Sequence, residues 1–272
     1  MTTRVMKLFF RKYGNGPPLV ILHGLYGSSD NWVTIAKHLS DSFTVYLPDQ
    51  RNHGQSPHSK IHDYDSMSDD LYELVNDLKL KKIFLAGHSM GGKTAISFAL
   101  KWPEMLFGLL IADISPFTDE TNSHSIYSQH FTLLNAILSI DLKNISTRSD
   151  AEIILKEKIT SEKIRGLILK NLQRTDENRF SWKLNAAVLL RNLDKIMEGI
   201  KRESDFNWQI SGFPVIFLKG GDSDYIPLGD YNDIYKVFPA AEIIEVPGAG
   251  HWIHVDKPDE VIKNLKKLLP DI

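Results

Sequence analysis

Between residues 19 and about 115, short runs of consecutive apolar residues alternate with longer stretches in which apolar residues recur every three or four positions. The runs at 19–22, 43–47, 83–86 and 109–112 are bounded by Gly, Pro or Asp and predict strands buried on both faces. A strand in a parallel sheet has helices above and below it, so it shows no polar face. The periodic stretches at 31–39, 66–78 and 89–101 predict the intervening helices, the last ending before Pro103, whose ring disfavours helical backbone in the residue ahead of it. This alternation is the signature of βαβ units and a mostly parallel sheet.

The rhythm breaks after residue 116. From 117 to 211 helical spacing dominates, at 125–140, 151–159 and 163–172, and no segment reads convincingly as strand. Strand-like runs return at 215–218 and 242–246, with a helix around 228–237 and a closing helix at 258–269. The expected organisation is one α/β core made of residues 1–116 and 212–272, interrupted by a helical cap at 117–211. A chain of 272 residues suits a single core of this class with an insertion.

Composition narrows the chemistry. Hydrophobic residues make up 42% and charged residues 24%, with a formal net charge of -2, the profile of an ordinary globular protein. Lys and Arg are scattered among acids, without the basic, aromatic-interleaved run that phosphate backbones select, so no nucleic-acid partner is expected. There are no cysteines, which removes disulfides, thiolate metal sites and a cysteine nucleophile. No stretch approaches the roughly 20 apolar residues of a membrane span, and the N-terminal residues lack a signal-peptide core. The expected location is the cytoplasm, with neither metal nor cofactor.

Gly87-His88-Ser89-Met90-Gly91 matches the G-x-S-x-G pattern and stands where that pattern has meaning, between a predicted strand and a predicted helix. The tight turn of a nucleophile elbow needs small residues two before and two after the serine, and Gly87 and Gly91, with Gly92 behind them, meet that need. A serine hydroxyl also needs a base. His251, in Gly248-Ala249-Gly250-His251-Trp252 after the last strand-like run, is the candidate, with His254 as its rival. The other histidines of the motifs, His23, His53 and His88, are read as packing or hydrogen-bonding residues. An oxyanion requires two preorganised donors. The Met90 N–H at the start of the helix and the Leu25 N–H in His23-Gly24-Leu25-Tyr26-Gly27 are the candidates. The acid that orients the base stays open among Asp113, Asp222 and Asp224, each of which follows a predicted strand on the catalytic edge.

With Asp49-Gln50-Arg51-Asn52-His53-Gly54-Gln55-Ser56 and Gly250-His251-Trp252 added, the chain resembles the α/β-hydrolase superfamily along its length. Its 87–93, 112–116 and 220–223 segments resemble those of YbfF-type bacterial esterases and their mitochondrial relatives. That resemblance implies hydrolysis of small acyl esters or acyl thioesters, acyl-CoA among them, without metal or cofactor. It also implies a choice of acid: this group tends to carry a serine where most of the superfamily has the later acid, and Ser223 stands there, which favours Asp113 over the alternative Asp224. The cap is expected to roof the site, with Tyr127, Phe131, Phe180, Trp182 and Trp208 as pocket candidates and Tyr26, Asn31, Trp32 and Trp252 beside the oxyanion loop and base. Lys93, one turn after Ser89, is expected to reach an anionic substrate group or a cap carbonyl. Carbon-carbon or lactone hydrolysis on the same triad, and ligand binding without catalysis, are the alternative functions.

Overall fold

The computed structural model describes residues 5–117, 123–200 and 209–270. In chain order the elements of the first half are β1 (Phe10–Tyr13), β2 (Pro18–Leu22), α1 (Val33–Leu39), β3 (Thr44–Pro48), α2 (Tyr64–Asp77), β4 (Ile83–His88), α3 (Met90–Lys101) and β5 (Leu106–Ala112). The insertion follows with α4 (Ser123–Leu138), α5 (Arg148–Lys156), α6 (Glu162–Leu169), β6 (Leu172–Arg174), β7 (Phe180–Trp182), α7 (Ala186–Arg191) and α8 (Leu193–Met197). The chain closes with β8 (Val215–Gly220), α9 (Tyr231–Val237), β9 (Ala241–Val246), α10 (Ile253–Asp256) and α11 (Pro258–Lys266).

Seven strands form one sheet in the order β1-β3-β2-β4-β5-β8-β9, parallel except for the antiparallel pairing of β1 with β3. Successive residues of β2 serve opposite faces: Val20 and Leu22 join the core with Leu85, Phe98 and Phe217, while Leu19 and Ile21 join the one with Phe43, Leu47 and Leu265. Burial on both faces is why these strands are unbroken apolar runs. Because all the inner strands run the same way, their carboxyl ends and following loops gather at one edge.

Two departures from the sequence pattern have physical causes. The edge strand β1, with Arg11 partly buried and Lys12 exposed, covers only one side of β3 and so needs no apolar run. Against the reading of a purely helical insertion, β6 and β7 form a small antiparallel hairpin. Each strand has three residues, too few for period-two alternation to stand out, and the turn between them is closed by the Thr175 N–H on the Arg179 carbonyl.

The cap has its own core, in which Leu134, Ile137, Leu155, Ile168 and Leu189 pack together with Leu25 and Tyr26 of the loop after β2, Met67 of α2 and Met90 of α3. Its base is pinned where the Ile200 N–H donates to the Pro116 carbonyl at 2.8 Å, beside the bridge between Phe117 and Ile200. Below it, the loop after β3 is anchored by a fully buried Arg51–Asp70 ion pair at 2.7 Å. Among the described residues no helix is long and apolar enough to cross a membrane, and no cluster of His, Cys, Asp and Glu is arranged to hold a metal ion.

Candidate active site

Ser89 sits between β4 and α3 with φ 52° and ψ −120°, a conformation that L side chains rarely adopt. The surrounding glycines permit it. A Cβ at Gly87 would lie 2.2 Å from the Gly91 carbonyl oxygen, and one at Gly91 would lie 2.5 Å from that of Leu22. The turn is locked to the neighbouring strand by the Ser89 N–H on the Ala112 carbonyl at 3.0 Å.

The structure brings Ser89, His251 and Asp113 together. Ser89 Oγ lies 3.0 Å from His251 Nε2, and His251 Nδ1 lies 2.8 Å from Asp113 Oδ2. A carboxylate accepts only, so Nδ1 carries the ring proton and Nε2 is left to accept the serine proton. Asp113 follows β5 with φ 49° and is fully buried. Its desolvation is offset by further donors, the Gly220 N–H on Oδ1 at 2.8 Å and the Ser223 hydroxyl on Oδ2. The His251 ring lies flat on Tyr225, centroids 3.5 Å apart, and its carbonyl accepts a hydrogen bond from His88 Nε2 at 2.7 Å. Asp222 and Asp224 are exposed at the edge of the same loop, where the Asp222 N–H holds the Ala249 carbonyl at 2.9 Å.

His254 does not reach the serine. It is buried, stacked on Trp32 with centroids 4.5 Å apart, and its pKa is pushed down to about 3 by burial and then by the charge of His251.

Leu25 and Met90 line one small cavity with Ser89, and among the described residues neither backbone N–H is engaged in a hydrogen bond. The loop carrying Leu25 is held from three sides. The Gly27 N–H closes a turn on the Gly24 carbonyl, the Gln50 N–H donates to His23 Nε2 at 2.9 Å, and the Gln50 side chain donates to the His23 carbonyl at 2.6 Å. His23 and the 49–56 motif are therefore framework for the loop, as a packing role for His23 anticipates.

The cavity measures about 30 Å³, room for water but not for an acyl chain, and its walls include Tyr64, Ile114, Ile126, His130, Met197 and Tyr225. The aromatic residues expected from sequence lie elsewhere. Trp32 is committed to its stack on His254, Trp182 and Phe180 belong to the cap core, and Trp252 lies under the Lys163 ammonium at 5.3 Å. Tyr26 is buried, with its hydroxyl on His130 and its carbonyl accepting from Asn171. Asn31 caps a turn through the Ser28 N–H, Tyr127 packs on the cap core, and Phe131 is 48% exposed. Trp208 lies outside the described residues. Lys93 takes the cap-carbonyl role, donating to Met197 at 2.9 Å and Glu198 at 2.6 Å. Large aromatic rings suit both a pocket wall and a core, so residue type alone could not separate the two, and His130 and Tyr225 carried no motif to mark them.

A sheet of this order, with a serine elbow after β4, defines an α/β-hydrolase, and a family model described as alpha/beta hydrolase fold matches residues 17–124. The chain belongs to the α/β-hydrolase superfamily and is an ester-hydrolysing enzyme of it. It is 36% identical over 255 residues to the sn-1-specific diacylglycerol lipase ABHD11 of Danio rerio, covering 93% of this chain and 78% of that protein. It is 30% identical over 257 residues to esterase YbfF of Escherichia coli (strain K12), covering 94% of each. Among solved structures, a marine microorganism esterase superposes with a TM-score of 0.91 at 42% identity, covering 97% of this chain and 100% of that one.

Proposed function

We propose that the protein hydrolyses carboxylic esters through an acyl-enzyme on Ser89, with His251 as general base and acid and Asp113 as its orienting carboxylate. The observation that carries this reading is the unbroken hydrogen-bond chain from Ser89 Oγ through both ring nitrogens of His251 to a buried, three-fold hydrogen-bonded Asp113. His251 Nε2 takes the serine proton as Oγ attacks the carbonyl carbon, and the oxyanion that forms is held by the Leu25 and Met90 N–H groups. The imidazolium then gives its proton to the leaving alcohol. A water, deprotonated by the same nitrogen, releases the acid and restores the serine.

The substrate end is read from the walls. Ile114, Ile126, Ile196 and Met197 favour an uncharged acyl chain. Relatives named for diacylglycerol lipase or esterase activity support neutral esters, and acyl thioesters such as acyl-CoA present the same carbonyl to the same groups.

Hydrolysis of p-nitrophenyl esters from acetate to palmitate, with acyl-CoA thioesters alongside, tests the reading. The wild type is expected to turn over at least part of the ester series, Ser89→Ala to lose at least about 10³-fold, and a fluorophosphonate reagent to add once, at Ser89. Activity retained by Ser89→Ala, or a wild type inert to the whole series and unlabelled, refutes it.

A further inference from the structure

The triad and the oxyanion donors account for the acyl half of an ester and, among the described residues, leave the Tyr225 hydroxyl and the His130 ring as polar groups of the cavity without a role; of the two, His130 stands on the cap. His130, on the cap helix α4, lines the same cavity as Ser89, and its Nδ1 lies 3.1 Å from the hydroxyl of Tyr26, one residue beyond the Leu25 donor. A phenol is a better donor than acceptor, and the ring nitrogen is closer to it than the His130 carbonyl, 3.4 Å away within the helix. The phenol proton therefore goes to Nδ1, which places the ring hydrogen on Nε2. Among the described residues Nε2 has no hydrogen-bond partner, yet it is not one of the polar atoms sealed from solvent. Burial holds the ring neutral, its pKa down to about 4, with His251 and Lys93 the charged groups acting on it. The result is a neutral N–H donor in a cavity otherwise walled largely by apolar side chains.

Its position indicates which part of a substrate it meets. His251 delivers a proton to the leaving oxygen, and His130, which lines the Ser89 cavity and interacts electrostatically with the His251 ring, is the neutral donor of the cap available to the alcohol half of the ester. We propose that His130 Nε2–H is a specificity-determining donor that recognises an oxygen on the leaving alcohol, selecting esters of polyols and alkoxy alcohols over esters of plain alkanols. The inference rests on the esterase reading above. The cap thus supplies the polar recognition, whereas the core supplies the chemistry. Tyr26 acts through His130 as a positioning residue that sets its tautomer.

The test compares two esters with leaving groups of equal heavy-atom count, 2-methoxyethyl butanoate and butyl butanoate, by kcat/KM in the wild type, His130→Phe and His130→Gln. Intrinsic reactivity and any general damage to the site cancel when the methoxyethyl-to-butyl ratio of a variant is divided by that of the wild type. His130→Phe keeps the ring volume and removes the donor, and is expected to lower the ratio by about two- to tenfold, the range of one neutral hydrogen bond. His130→Gln restores an N–H at similar reach and is expected to recover part of it, whereas a purely structural role would leave the ratio flat in both. A ratio unchanged in His130→Phe overturns the proposal. If His130→Phe does not fold, as read by its thermal transition, a His130→Gln ratio above that of a folded His130→Leu variant supports the donor and an equal one overturns it. A wild type that hydrolyses neither ester but turns over p-nitrophenyl esters overturns the donor role alone, whereas one inert to both, to the whole p-nitrophenyl series and to the fluorophosphonate overturns the esterase reading and the donor role together.

Discussion

Replacing His254 by phenylalanine should make the protein less sensitive to acid, and the size of the effect follows from the burial of the ring. His254 is buried, stacked at 16° on Trp32, and among the described residues its Nδ1 has no hydrogen-bond partner. Its pKa in the folded protein is about 3, lowered first by desolvation and then by the charge of His251, against about 6.5 for an imidazole in the unfolded chain. Between these values the unfolded chain binds the proton and the folded chain does not, so stability falls as pH falls through that window. At pH 5 the loss is RT ln(1 + 10^1.5), about 2 kcal/mol. His62, also buried with a pKa of about 3, adds a similar loss, and together the two remove a large part of a typical folding stability of about 5–15 kcal/mol. Phenylalanine keeps the stack and cannot titrate. Urea unfolding at pH 7.5 and pH 5 should therefore show a wild-type drop that exceeds that of His254→Phe by about 2 kcal/mol, or about 1 M in midpoint. Equal drops in the two proteins would refute the assignment of acid sensitivity to this ring.

Two further outcomes are expected. Asp113→Asn removes the carboxylate that sets the His251 tautomer and should lower kcat for ester hydrolysis by about 10³–10⁴-fold, whereas Asp224→Asn, on an exposed side chain, should stay within about twofold of wild type; a loss confined to Asp224→Asn moves the acid to the loop after β8. Arg51→Met leaves Asp70 buried without its partner and should cost about 3–5 kcal/mol in urea unfolding. Much of that loss should return in Arg51→Met with Asp70→Leu, and a double variant as unstable as the single one would show that the pair is not the source of the loss.

The elements most legible in the sequence are those whose burial is symmetric. The inner strands β2 to β5 and β8 announce themselves because both faces meet helices, and the serine elbow because its glycines leave no room for a Cβ. What was hidden depends on long-range placement. β1 is a charged edge strand with one partner, the β6–β7 hairpin is too short for a period, and Trp32 and Trp252 stand beside site motifs yet line a neighbouring cavity with Leu25 and not the one that holds Ser89. His130 and Tyr225 line the Ser89 cavity from 41 and 136 positions further along the chain, and no local pattern links such separations. The acids Asp113, Asp222 and Asp224 were equivalent by topology. They differ by burial: one turns inward under His251 and two remain exposed.

Backbone strain ties these parts together. Three of the non-glycine residues with positive φ follow adjacent strands: Ser89 and Asp113 directly after β4 and β5, and Tyr26 in the loop after β2. Such conformations cost on the order of 1–3 kcal/mol each and persist only where their surroundings hold them. Two are held by the sheet itself, Ser89 by the Ala112 carbonyl and Asp113 by the Leu218 carbonyl. Tyr26 is held by the cap, which donates to its carbonyl from Asn171 at 2.8 Å and bonds its hydroxyl through His130. The proposed nucleophile and acid are therefore held by the core alone, whereas the loop bearing Leu25, the proposed oxyanion donor, takes part of its support from the cap.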